Sequence, residues 1–269
     1  KVLVDVAFLG YAAEPEDEDG FYDIYIRKLN SGEYGWCNHV QNGISYLKIR
    51  NEYDTFSSPS LSKLQLMRIT VGHEYFHAIQ WGYRYSTTDV INNKYFYEMS
   101  SMWFEDVLVP DGNDYLDDWV DDLLNNPTAD FDDTGPGYEL ALFGHYLSSF
   151  LDPNGADNVK NSTIIREMWE RFGNTNSNAF SAVNYVLDGE NYSLTFIEAW
   201  VDFISRNLYN GIYENMDNDY YYYIDQALID PIQTNPQKLN ENLSLLLSVD
   251  DKATSILSYQ IDSITSNIE

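Results

Sequence analysis

Polar and hydrophobic positions alternate along the first fifty residues. The runs KVLVDVAFL, FYDIYIRKL and ISYLKIRN are rich in β-branched and aromatic residues and are broken by Gly, Asn and Asp, which predicts strands. From residue 58 the period lengthens to that of a helix and keeps it to about residue 210. Helices are predicted in SSPSLSKLQLMRITVGHEYFHAIQWG, NKYFYEMSSMWFED, DYLDDWVDDLLN, YELALFGHYLSSFL, TIIREMWERF, AFSAVNYVL and LTFIEAWVDFISRNL. Alternation returns in the tail, in NLSLLLSV and SILSYQIDSI. Strands followed by helices predict an α+β fold, sheet-rich over 1–57, helical over 58–210, with a strand-containing tail at 240–265. No repeat or low-complexity linker divides the 269 residues, so a single unit is expected, large enough for a core that needs no staples.

The first long helix is expected to start at Ser58-Pro59, a good cap followed by proline in the first turn, and to stop at Gly82. Leu64, Met67, Val71 and Ala78 follow helical spacing, and Leu61, Ile69 and Phe76 widen the apolar surface, so the helix is expected to be central. It carries two of the four histidines in VGHEYFHAIQWG. Residues four apart lie one above the other, roughly 6 Å between Cβ atoms. His73 and His77 can therefore aim both imidazoles at one point, and Glu74 on the flank can reach a water in an open metal position. Two ligands and a general base within one turn are the physical content of H-E-x-x-H. Histidines that merely pack are the competing explanation. The intervening glutamate and the scarcity of histidine favour zinc.

A catalytic zinc needs a third protein ligand. The short spacing to a third histidine is filled by Trp81, Gly82 and Tyr83, and only His39 and His145 remain. The better candidate lies in residues 93–106, where Glu98, Ser101, Met102 and Glu105 share one helical stripe. HEYFH followed about 20 residues later by EMSSMWFE resembles the gluzincin group of zinc metallopeptidases, which includes thermolysin-like and aminopeptidase-like enzymes. Many members carry a second motif N-E-G-x-A-x-[WY]-x-E. Glu98 stands at its ligand glutamate, Ser101 at the small residue, Trp103 at the aromatic and Glu105 at the downstream acid. The resemblance implies a zincin-like fold, a mixed sheet beside the metal helix with the helical block closing a cleft. It implies His73, His77 and Glu98 on zinc, with Glu74 as base. Tyr97 replaces the common Asn and Met99 the common Gly, which puts exopeptidase specificity in doubt. The specific motifs cover roughly 70 residues, and a looser pattern over the first 150 is similar to secreted bacterial members of the group. Glu105 fits a carboxylate that orients a ligand histidine. For both glutamates the plain alternative is a solvated face in an acidic protein.

An oxyanion developing on the substrate needs a donor besides the metal. TGPGYELALFGHYLSSFL predicts a helix after Gly135-Pro136-Gly137, with Tyr138 in its first turn and His145 farther along, and these are the two candidates. With 23 tyrosines in the chain, simple packing of Tyr138 competes with that role.

Charge narrows the partners. A formal −28, from 43 acids against 15 bases, excludes nucleic-acid binding as a main activity because phosphate is repelled. Such a surface suits an extracellular or saline setting, where salt screens self-repulsion. Cys37 is alone, so no internal disulfide forms, and no run approaches the ~20 apolar residues of a membrane span. EPEDEDGFYD sets Asp17, Asp19 and Asp23 around Gly20, which makes calcium a second candidate cofactor, although a solvated acidic loop is favoured. The expected function is a secreted zinc-dependent endopeptidase acting on protein or peptide substrates through a Glu74-activated, zinc-bound water. The alternatives are an inactive binding module on the same scaffold and a zinc hydrolase of a non-peptide bond.

Overall fold

A computed structural model describes residues 10–12, 20–41, 43–53, 61–113, 115–125, 130–132, 135–211, 218–232, 236–238 and 258–260. Three strands form a mixed sheet: β1 (Ile24–Arg27), β2 (Gly35–Gln41) and β3 (Ile44–Arg50), in the order β1-β3-β2. β3 runs parallel to β1 and antiparallel to β2, with a bulge between His39 and Gln41. The expected strands at 21–29 and 44–51 correspond to β1 and β3, while the run at 1–9 lies outside the described residues. β2, in GWCNHVQ, has no clear alternation of polar and apolar residues and is recognisable only through its pairing. Leu47 and Ile49 of β3 are fully buried beneath the first long helix.

That helix, α1, spans Lys63–Tyr83. Its start differs from expectation: Ser62 caps it, accepting from the Gln65 amide, while the Gln65 side chain accepts from Ser62 N at 3.0 Å. This reciprocal box satisfies two of the helix's free N–H groups. Residues 58–60 lie outside the described residues. Gly82 does not stop α1; the helix ends one residue later, and Arg84 turns out in extended conformation. Leu64, expected on the buried stripe, is 57% exposed, because the packed face runs instead through Leu66, Ile69, His73, Phe76 and Gln80.

After the short α2 (Thr87–Asn92), α3 (Lys94–Leu108) packs along α1 and is buried at nearly every position from Tyr95 onward. The predicted helix at 114–125 is two short pieces, α4 (Tyr115–Asp118) and α5 (Val120–Asn125). The predicted helix at 138–151 is a single helical path of changing pitch. A 3₁₀ turn at Tyr138–Leu140 leads into α6 (Ala141–His145) and then a π segment at Tyr146–Leu151. Pitch changes of this kind rotate the side chains out of one α-helical register. α7 (Ile164–Gly173), α8 (Ala179–Leu187) and α9 (Phe196–Arg206) follow as expected. One cluster of buried side chains runs from Tyr11 to Ile232, with Phe131, Phe143, Phe196, Trp200 and Phe203 packed edge-on or tilted among the later helices. In the tail, β4 (Pro236–Lys238) pairs in parallel with β5 (Ser258–Gln260), which falls inside the predicted strand at 255–264; the run at 242–249 lies outside the described residues. The fold is α+β, mostly helical, and no helix among the described residues is long and apolar enough to cross a membrane.

Gly137 holds the start of the 3₁₀ turn against α3. Its φ is +89°, and a Cβ there meets the Tyr95 backbone at 2.4–2.8 Å. Gly137→Ala is expected to cost more than the ~1–3 kcal/mol of left-handed strain alone, since the Tyr95 backbone must also yield. Urea unfolding checks this; an unchanged midpoint contradicts the packing described.

Candidate metal centre

His73, His77 and Glu98 converge between α1 and α3. His73 Nε2 lies 3.1 Å from His77 Nε2 and 3.1 Å from Glu98 Oε2, and His77 Nε2 lies 3.3 Å from the same oxygen. The far nitrogen of each ring is already committed. His73 Nδ1 meets the Glu105 carboxylate at 2.5 Å, and a carboxylate accepts, so Nδ1 carries the proton. His77 Nδ1 faces Gln80 Oε1 at 2.8 Å. The amide orientation of Gln80 follows from its Nε2, which donates to the Tyr97 carbonyl at 2.9 Å and to the Ser100 and Ser101 hydroxyls at 3.0 Å. His77 Nδ1 is therefore also a donor. In the neutral tautomers, both Nε2 lone pairs and one carboxylate oxygen point at one small space.

Three converging lone pairs repel unless a positive charge lies among them. The acid–base balance leans the same way. Burial works against a charged His73, yet Glu105, Glu98 and Glu74 outweigh it and hold its pKa well above the ordinary value. Burial works against an ionised Glu98, yet the two imidazoles keep it below the usual carboxylate range. A proton answers this need partly and a metal ion more fully. The three edges of 3.1–3.3 Å match the about 3.3 Å edge of a tetrahedral shell with bonds of 2.0–2.1 Å. The three residues are the group among the described residues whose donor atoms could hold a metal ion. They fit one.

The centre lies in a cavity of about 560 Å³. Gly35, Trp36 and Cys37 of β2 form one wall, and Trp119 and Tyr138 line the space beside α1 and α3. Glu74 lines it too. Burial raises its pKa, while the two histidines pull the other way. Tyr138 has its ring centroid 6.1 Å from that of His73 and packs edge-on to Trp119. Burial first, then Glu98, Glu74 and Glu105, raises its pKa, so the phenol keeps its proton and remains a donor.

His145, expected as an oxyanion candidate, does not line this cavity. It is 2% exposed, stacked on Tyr223 at 4.7 Å, with Nε2 3.5 Å from Asp106 Oδ2. Burial pushes its pKa down to about 3, and burial with Asp225 and Glu105 pushes Asp106 up to about 8. The pitch change at residue 141 helps turn His145 away from the side that Tyr138 faces. Of the acidic loop considered for calcium, Asp17 and Asp19 lie outside the described residues, and Asp23 accepts locally from the Tyr25 hydroxyl at 3.0 Å.

Sequence reasoning missed the β2 wall, Trp119 and Gln80. Gln80 had a readable signal: it continues His73 and His77 at i+7 on the packed face of a central helix, where an amide needs a polar reason to be buried. Comparison of the chain with protein-family models, with curated proteins and with solved structures gives no match.

Gln80→Leu removes the acceptor that fixes the His77 tautomer. Chelator competition is expected to show zinc affinity falling about 10–100-fold, with the helical circular-dichroism signal retained. Unchanged affinity contradicts the tautomer argument.

Proposed function

We propose that the chain is a zinc-dependent peptidase of the gluzincin type, acting outside the cell as an endopeptidase. The observation that carries this is the convergence of two imidazoles and one carboxylate, with Glu74 in the same cavity but outside the ligand set. Two nitrogens and one oxygen suit zinc better than the all-oxygen sets of calcium or magnesium. His73, His77 and Glu98 would hold the ion, which when bound polarises a carbonyl and lowers the pKa of water to about 7.

The remaining work falls to the chain's own groups. Glu74 takes a proton from the attacking water and passes it to the leaving amine; its raised pKa suits both transfers. The Tyr138 hydroxyl is the donor available to the carbonyl oxygen as charge builds on it. Glu105 and Gln80 keep the ligand imidazoles from turning. A peptide is favoured over other hydrolysable bonds by β2. It is an edge strand whose outer side pairs with nothing among the described residues, and its first three residues line the cavity. An extended backbone can add there as a fourth strand. The secreted setting is supported by the charge of −28.

Glu74→Gln keeps shape and hydrogen bonding but removes the base. The variant is expected to bind zinc as the parent does while casein hydrolysis falls by at least ~10²–10⁴-fold. Hydrolysis at the parental rate contradicts the mechanism, and a parent that cleaves nothing while binding peptide identifies a binding module.

A further inference from the structure

Strand β2 opens on a residue that has no room for a side chain. A Cβ at Gly35 would stand 2.7 Å from Thr70 Cγ2, 3.0 Å from Glu74 Cγ and 3.3 Å from Ile49 Cδ1. Carbon atoms in contact prefer about 3.5–4.0 Å, so at least the first two neighbours would have to give way. The backbone does not ask for glycine here, since Gly35 is not among the glycines with positive φ. Space alone keeps a side chain out.

Which neighbour would yield follows from how each is held. Thr70 is buried, and its hydroxyl donates to the Leu66 carbonyl at 2.7 Å, so turning its methyl aside breaks that bond. Ile49 is fully buried and is the register partner of Gly35 on β3. The strand is pinned as well. The Tyr34 carbonyl accepts from Arg50 N at 3.0 Å, and the buried Arg50 guanidinium donates to the carbonyls of Glu33 and Asn30. Glu74 differs from all of these. Its side chain lines the cavity and has open space to turn into. A methyl at position 35 would therefore be accommodated by Glu74, and the carboxylate would leave its place near His73 and His77.

We propose that Gly35 is a positioning residue: by carrying no side chain it lets Glu74 lie against β2, and so it sets where that carboxylate stands relative to the two imidazoles. The catalytic meaning of this placement rests on the peptidase proposal, in which Glu74 is the base. A base must come within about 2.6–3.2 Å of the proton it takes. A misplacement of about 1 Å costs on the order of 10²-fold in rate. Metal binding does not use Glu74 and is left as it was.

Two measurements separate the contact from the chemistry. The contact is read without turnover, by urea unfolding of the zinc-loaded parent, Gly35→Ala, Glu74→Ala and the double variant. The general effect of replacing glycine by alanine cancels between the two backgrounds, leaving the coupling between the sites. Gly35→Ala is expected to lower the midpoint of the parent and not that of Glu74→Ala, where the truncated side chain has made room. If Gly35→Ala alone does not fold, the double variant should. Equal shifts in the two backgrounds, or a double variant that is unfolded, overturn the proposal whether or not the chain is a peptidase. The chemistry is read as kcat and KM on a casein-derived peptide. Gly35→Ala is expected to lower kcat about 10–100-fold, with KM and zinc affinity unchanged. In an active enzyme, a parental kcat, or a loss carried by KM or by zinc binding, overturns the proposal. Coupled stabilities in a parent that cleaves nothing leave Gly35 placing Glu74 and remove the peptidase assignment.

Discussion

Where α1 crosses α3, the side chain of Gln80 is fully buried and donates to the Tyr97 carbonyl and to Ser100 and Ser101. This clasp does two things together. It satisfies polar groups that would each cost about 1–3 kcal/mol if left buried and unpaired. It also turns the Gln80 carbonyl toward His77 and so decides which ring nitrogen faces the cavity. Glu105 does the same for His73 from α3. The centre is therefore a property of the helix pair rather than of either helix alone, and the surrounding aromatic packing serves to hold that crossing. Phe76 stacks on Phe104 across it, and the Trp103 and Trp169 indoles donate to Ser148 and Ser100.

The parts of this arrangement fixed within one or two helical turns were legible in the sequence. His73, Glu74 and His77 depend only on α-helical spacing, and Glu98 with Glu105 on the spacing of a second helix. What depends on distant partners was not. β2 carries Asn38, His39 and Gln41 and lacks the alternation that exposes β3, so only its pairing identifies it. Leu64 follows helical spacing yet faces solvent, because which arc of α1 is covered is decided by the sheet and α3. His145 and Tyr138 looked equivalent on a uniform helix. Between them the path changes from 3₁₀ to α, and Tyr138 lines the cavity while His145 is buried in the core.

The acidic composition takes on a local meaning at the site. In a chain of formal charge −28, carboxylates near a cavity are expected by chance alone. Those here are distinguished by their surroundings: Glu98 and Glu105 face imidazole nitrogens, and Glu74 lies against Gly35 of the sheet edge. Burial raises the cost of leaving such groups ionised without compensation, which is why a cluster of this kind draws in positive charge.

The most direct measurement is of the metal itself. Purified chain, exchanged into metal-free buffer, is analysed for zinc by mass spectrometry and for its ligands by X-ray absorption at the zinc edge. One zinc per chain, bound by two imidazoles and a carboxylate oxygen without sulfur, is the expected result. Protein that retains no stoichiometric metal after zinc is supplied, or a shell containing the Cys37 sulfur, would contradict the centre described.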